Sequence, residues 1–412
     1  MEKKKLMTMV ASLMVLAAMC SLGACSTSGD EGEPSMYSLD GEYSSDDKYA
    51  YESEDDGDGG GTEGGNTSAG VVTAGEWNDL SHWPFWSGLM LGEDYGDKSD
   101  YWQLFTNNRV AVQVTDNAGR ALAGVAVKLL RQTDGRATTL WEAVTDNHGL
   151  ADCWVGVYQK EDAKADNLAV SIDGQVMDGH PEVCHWDSLA QNVTVNRYSV
   201  ATVSTEPQAD IAFIVDATGS MGDEIDFLKN DLEDIIGKVS TSGNMRTAAL
   251  FYRDEGDDYV TRHSNFTTDV QQTAKFVGKQ RADGGGDYPE AVHTALEHML
   301  QDLSWNTNAR TRIAFMLLDA PAHYEDAVIR SLQQSLTRCA KMGIRIIPVA
   351  ASGVDKNTEF MLRFFANLTG GTYVFLTDDS GVGFSHMKAS VGDYKVELLN
   401  NLLIRLIEYY TE

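Results

Sequence analysis

The chain has 412 residues, 42% of them hydrophobic, with a formal charge of -30 and a sequence pI near 4.5. That length holds two globular domains plus tails, and the apolar share is enough to bury cores. So large a surplus of acid repels nucleic acid and anionic lipid surfaces, and neither is expected as a partner.

The first residues read as a targeting segment. Lys3, Lys4 and Lys5 are followed by an apolar run from Leu6 to Met19 and the small-residue site Leu22-Gly23-Ala24-Cys25, the three parts of a secretory signal. The run is too short for a transmembrane helix and ends in Gly and Cys. Leu-Gly-Ala-Cys resembles the lipobox of bacterial lipoproteins, against the alternative of a plain secretory signal. The resemblance implies that residues 1–24 are removed and that Cys25 is acylated. Lipid would then hold the chain to a membrane without spanning it, in a bacterial cell envelope, at the outer membrane with surface display.

Residues 25–72 are rich in Ser, Gly, Asp and Glu, including Glu54-Asp55-Asp56-Gly57-Asp58. They cannot bury enough apolar surface to offset ordering entropy and are expected to form a disordered, charge-extended tether. The acidic run lacks the Asp-x-Asp-x-Asp-Gly spacing of a calcium loop. Between Thr73 and Phe105 aromatics crowd together: Trp77, Trp83, Phe85, Trp86, Tyr95, Tyr101, Trp102 and Phe105. Such a set stacks on sugars or, more commonly, packs a lead-in segment onto a neighbouring domain.

From Arg109 to Val203 the apolar period is two. Val110, Val112 and Val114 alternate, as do Val125, Val127 and Leu129, with turns at Asp116-Asn117-Ala118-Gly119 and Thr133-Asp134-Gly135. Regular short strands with such turns indicate an antiparallel β-sandwich. The strand, Asp-x-x-Gly and Leu-Ala-Gly-Val pattern resembles carboxypeptidase-regulatory-like and other immunoglobulin-like modules of secreted bacterial proteins, so an immunoglobulin-like sandwich is expected over 73–204. Cys153 and Cys184 share this region and are candidates to pair in an oxidising compartment. His180, Cys184 and His185 offer only three local zinc ligands. Cys339 lies on an apolar helical face and reads as a buried thiol.

After Thr205-Glu206-Pro207-Gln208 strands and helices alternate, predicting an α/β domain over 208–412 with a doubly wound, mostly parallel, Rossmann-like sheet. Its first strand, residues 210–215, ends in Asp216-Ala217-Thr218-Gly219-Ser220. A helix is expected over about 223–239 and a final helix over 389–410. One carboxylate and two hydroxyls at the carboxyl end of a buried strand make an all-oxygen donor set, suited to Mg²⁺, Mn²⁺ or Ca²⁺ rather than zinc. The alternative is that Thr218 and Ser220 only cap the next helix.

Asp-x-Thr-x-Ser, a strand Phe315-Met316-Leu317-Leu318 ending in Asp319, and the loop Gly284-Gly285-Gly286-Asp287-Tyr288-Pro289-Glu290 together resemble von Willebrand factor A domains with a metal-ion-dependent adhesion site. The loop resembles a subgroup that includes hemicentin-like and alpha-kinase-linked proteins. The resemblance implies Asp216, Thr218, Ser220 and Asp319 as metal residues. Asp287 stands near the position of the family's usual threonine; either it acts through water, which is the expectation, or the site prefers a neutral oxygen donor or is chiefly structural. The loop Tyr252-Arg253-Asp254-Glu255-Gly256-Asp257-Asp258 rims the ligand surface or, more commonly for such a run, is solvated charge. No His-Glu-x-x-His, Gly-x-Ser-x-Gly or phosphate-cradling Lys loop is present in the sequence. The resemblance implies non-enzymatic capture of a protein or glycan through the metal. The rivals are a metal-dependent hydrolase of surface polymers, using Asp287, Glu290 or His323, and a permanent envelope scaffold.

Overall fold

The computed structural model describes residues 70–161, 167–185, 193–201, 205–239, 244–383 and 385–412. The signal segment, Cys25 and the acidic tether lie outside the described residues. No helix among the described residues is long and apolar enough to cross a membrane. The chain begins with β1 (Thr73–Trp77), α1 (Trp83–Met90) and α2 (Glu93–Trp102). Short strands follow: β2 (Asn108–Asp116), β3 (Ala126–Thr133), β4 (Arg136–Val144), β5 (Leu150–Trp154), β6 (Leu168–Ile172), β7 (Gln175–Val176), β8 (Cys184–His185) and β9 (Val195–Val200). Alternation then sets in with β10 (Glu206–Asp216), α3 (Ile225–Val239), β11 (Met245–Tyr252), β12 (Thr261–Thr267), α4 (Val270–Val277) and α5 (Val292–Gln301). It continues through β13 (Ala309–Leu318), α6 (Asp326–Met342), β14 (Ile344–Ala350), α7 (Lys356–Thr369), β15 (Tyr373–Leu376), β16 (Glu397–Leu398) and α8 (Leu399–Thr411).

The main sheet has eight strands in the order β12-β11-β10-β13-β14-β15-β1-β16. The five from β11 to β15 pair in parallel, whereas β12 and β1 run antiparallel to their neighbours. Buried parallel strands need apolar residues on both faces, and β10 shows how the sequence meets that need. Ala212 and Ile214 enter the core beneath α5, α6 and α7, while Ile211, Phe213 and Val215 enter the core beneath α3 and α8. Phe213 stacks on Phe315 of β13 at 5.6 Å between centroids. Burying each ring contributes about 1.5–3 kcal/mol.

The strand β1 corrects the domain boundary expected from sequence. Thr73–Trp77 is not part of the β-module but an inner strand of the main sheet, with Ala74 opposite Leu376 and also opposite Glu397. Most aromatics that follow are spent on packing. Trp83, Trp86 and Trp102 are fully buried. Trp86 and Tyr95 lie against Phe360 of α7, and Trp102 Nε1 donates to Asn357 at 2.9 Å. At the same seam the Arg363 guanidinium donates to both oxygens of Asp79, and neither residue is open to water.

Residues 108–200 form two further four-stranded sheets. In one, β2 pairs with β5, β8 and, in parallel, β9; the other has the order β4-β3-β6-β7. Val110, Val112 and Val114 of the first and Val127, Leu129 and Val170 of the second share one core. The alternation read from the sequence is thus used as expected, although β9 departs from an all-antiparallel pattern.

The proposed Cys153–Cys184 pairing is not found: both thiols are buried and free, as is Cys339. The reason is geometric. Cys153 sits opposite Val110 on one side of β2, and Cys184 sits opposite Arg109 on the other. Two strand spacings separate them by roughly 9–10 Å, too far for a disulfide. A reductant is therefore expected to leave the melting temperature unchanged, and a fall of several degrees would restore the bridge. His180 and His185 are also otherwise engaged, with Leu168 O and Asn108 Oδ1. The last helix begins at Leu399, ten residues later than expected. Polar anchors hold the preceding segment instead: Ser390 N–H donates to Glu359 Oε1, and Ser390 O accepts from Arg363.

Candidate metal centre

Parallel pairing of Val215 with Leu317 brings β10 and β13 to the same edge, so Asp216 and Asp319 emerge there together. Past Asp216 the chain turns at once into a short 3-10 segment, Gly219–Asp223. Asp216 Oδ1 fixes that turn, accepting from Thr218 N–H at 2.9 Å and Thr218 Oγ1–H at 2.7 Å. Ser220 Oγ lies 3.2 Å from Thr218 Oγ1. Asp216 and Thr218 are buried, while Ser220 is exposed at the mouth.

The glycine-rich loop closes over this turn through backbone bonds. Asp283 N–H donates to Ala217 O, and Gly219 N–H donates to Gly284 O, both at 3.0 Å. Gly285 has φ +74°, and a Cβ there would stand 3.3 Å from Thr218 Cβ and 3.1 Å from Glu290 Oε1. Only glycine adopts this left-handed close approach without strain. Farther along, Glu290 N–H donates to Pro321 O at 2.9 Å, which sets Glu290 beside the end of β13.

The result is a pocket of acid. Asp216 Oδ2, Asp319 Oδ1 and Glu290 Oε2 are all buried without a hydrogen-bond partner. The Tyr252 hydroxyl neighbours Asp216 but is itself unpartnered, so it does not satisfy Oδ2. Burial raises the pKa of Asp216, and burial together with Asp216 raises that of Asp319, which the Ser220 hydroxyl partly offsets. Glu290 is pushed up to about 9 by burial and then by Asp216, Asp254 and Asp319. Buried carboxylates facing one another without a donor or cation are costly, and a hard divalent ion removes that cost.

The donors fit such an ion. Among the described residues no three His, Cys, Asp or Glu side chains stand together as a metal-holding group. Two strand-end carboxylates and two hydroxyls therefore make up the oxygen set, suiting a cation that keeps water or takes a partner's oxygen. Asp287 is exposed, and the acid turned inward is Glu290, three residues on. Tyr288 accounts for the turn, since its hydroxyl donates to Gly353 O at 3.1 Å and holds the loop outward. Asp254 also corrects the sequence reading of a solvated loop. It and Arg253 are buried, and Asp254 Oδ1 lies 2.7 Å from His323 Nε2. Asp257 ties that loop to the glycine-rich one, accepting from Asp254 N–H and Gly285 N–H. A signal was present in sequence only for Glu290, as the last acid of a loop preceding an apolar helix.

Comparison with known proteins finds similarity over part of the chain. Residues 210–376 match the family model described as the von Willebrand factor A domain. Ariadne-like RING finger protein R811 of Acanthamoeba polyphaga mimivirus is 33% identical over 117 residues, covering 28% of this chain and 11% of the relative. Alpha-protein kinase vwkA of Dictyostelium discoideum is 29% identical over 193 residues, covering 45% of this chain and 30% of the relative. The chain thus spans less than a third of the length of either. Among solved structures, the vWF domain of the type V pili tip protein Mfa5 from Porphyromonas gingivalis matches with TM-score 0.37 and 9% identity, over 51% of this chain and 98% of that one. Proximal thread matrix protein 1 from the mussel byssus, with a zinc-occupied MIDAS motif, matches with TM-score 0.32 and 16% identity over 39% of each chain. The similarity to the von Willebrand factor A domain is thus confined to residues 210–376 of the 412-residue chain.

Proposed function

We propose that this domain holds one divalent cation, Mg²⁺ or Mn²⁺ with Ca²⁺ as a larger alternative, and uses it to capture a protein or glycan partner. The observation that carries the reading is the pair of unpartnered, buried oxygens on Asp216 and Asp319. Asp216, Asp319, Thr218 and Ser220 would hold the ion, and Glu290 and Asp254 would act on it through water. When bound, the cation supplies a positive pole for a carboxylate or hydroxyl oxygen of the partner. Thr218 is oriented for that task by Asp216, and the glycine-rich loop fixes both. Around the rim Tyr101, Tyr288 and Tyr324 are exposed, with Tyr101 stacked on Tyr324 at 3.6 Å. Tyrosines offer rigid contact area with a polar tip, as binding surfaces favour.

We read the activity as binding rather than turnover: Asp254 orients the His323 ring at 2.7 Å, but among the described residues no hydroxyl or thiol is hydrogen-bonded to that ring as a nucleophile would be. The β-module of residues 108–200 would serve as an immunoglobulin-like spacer. The acidic segment would tether it, and a lipid on Cys25 would hold the whole to a bacterial envelope membrane, facing outward. Mild crosslinking followed by co-purification, with and without EDTA, tests the capture reading: a partner lost in EDTA supports it, while an EDTA-resistant assembly points to a permanent scaffold. Cys25→Ala is expected to move the protein from the membrane to the soluble fraction, and its retention in the membrane would disprove the anchor.

A further inference from the structure

At the opposite edge of the main sheet two arginines are buried side by side. Arg312 at the start of β13 is 3% exposed and Arg345 at the start of β14 is 4% exposed. Arg312 is satisfied by carbonyls, donating to Met342 O, Asn306 O and Ala309 O at 2.7–2.9 Å. Arg345 is not. Its two Nη atoms reach Gly343 O and Val144 O at 3.4 Å, and its Nε has no partner. No carboxylate among the described residues forms an ion pair with it; the Asp210 carboxylate, which acts on Arg312, is taken by Arg246 at 2.6 and 2.8 Å.

Arg345 lines a cavity of about 210 Å³ between the main sheet and the β-module, bordered also by Arg109, Asp146, Asp152, Tyr409 and Tyr410. Neither acid in that wall forms an ion pair with Arg345. Asp152 pairs with Arg109 at 2.6 Å, and Asp146 Oδ1 accepts from His148 N–H and Leu150 N–H. The space has room for several waters or one small organic ion. Arg345 therefore presents a guanidinium that lies over the Tyr410 ring at 5.9 Å but has no ion-pair partner and an unused Nε–H, a donor that suits a carboxylate or another small oxyanion.

We propose that this cavity is a binding site for a small carboxylate or oxyanion, with Arg345 as its anchor. The site is separate from the metal centre and rests on none of the residues assigned there. Removing an anchor without its counter-ion relieves a buried charge, so the two states of the protein respond oppositely to a substitution. In EDTA, acetate or inorganic phosphate at millimolar concentration is expected to raise the melting temperature by about 2–4 °C over matched chloride. Arg345→Gln should abolish that rise while leaving the anion-free protein at least as stable. Arg345→Lys, which keeps the charge but loses the fork, should retain less than half of the rise and serves alone if Arg345→Gln fails to fold by circular dichroism. No rise beyond chloride in the unmodified protein, or an equal rise in the variants, overturns the proposal.

Discussion

Asp79→Ala is expected to cost the fold about 3 kcal/mol, because it leaves the Arg363 guanidinium buried with only Glu359 Oε1, at 3.7 Å, as a counter-charge. Arg363 is 0% exposed and Asp79 3%. Burial by itself lowers the pKa of Arg363, but the Asp79 carboxylate and the hydrogen bonds to it override burial and hold the group above its ordinary value. Two bonds from one planar fork, with Nε at 2.9 Å from Asp79 Oδ2, fix the seam between the lead-in segment and α7. A third bond from Nη1 to Ser390 O at 2.6 Å adds the loop before α8. One substitution therefore loosens three separate stretches of chain. Replacing both partners by apolar residues, Asp79→Leu with Arg363→Met, should recover part of the loss, since Glu359 loses Arg363 but keeps Lys356 and the Ser390 N–H as partners. Urea denaturation measures both. A single-variant loss below about 1 kcal/mol, the range of an exposed pair, would show that water reaches the seam.

The second large effect is the response to pH without a cation. Asp216, Asp319 and Glu290 bind protons more tightly in the folded chain than in the unfolded one. Above the ordinary carboxylate range the unfolded chain has released those protons while the native state still holds them. Stability must then fall as pH rises. The fall should begin near the unfolded carboxylate pKa and end at about pH 9, where Glu290 ionises. A divalent ion competes with protons for the same oxygens, so saturating Mg²⁺ should flatten or reverse the slope. Melting temperatures in EDTA and in Mg²⁺, taken at intervals across that window, report the difference. Identical slopes in the two buffers would mean that the carboxylates do not share an ion.

What could be read in advance follows the range of the interactions. The strands β10 and β13 are continuous apolar runs, and an acid that ends such a run lands at the sheet edge whatever the rest of the chain does. Asp216 and Asp319 were legible for that reason. Glu290 was named only for the hydrolase alternative, because its place beside them depends on Tyr288 reaching Gly353 and on a backbone bond to Pro321, both set by the folded loop. Asp254 read as solvated because its own neighbours are charged, yet Asp257 and the glycine-rich loop fold it inward. The assignment of β1 to the main sheet was hidden by distance. Thr-Ala-Gly-Glu-Trp has no strong pattern, and its partners lie some three hundred residues later, as with Ala74 and Leu376. The free state of Cys153 and Cys184 likewise needed the register on either side of β2.

Isothermal calorimetry of Mn²⁺ into the cation-free protein and into Asp216→Ala tests the central claim most directly. The account predicts one ion bound per chain in the unmodified protein and none in the variant, with Asp319→Ala behaving alike and Asp287→Ala nearly as the unmodified protein. Unchanged affinity in Asp216→Ala, or no ion bound by the unmodified protein, would contradict it.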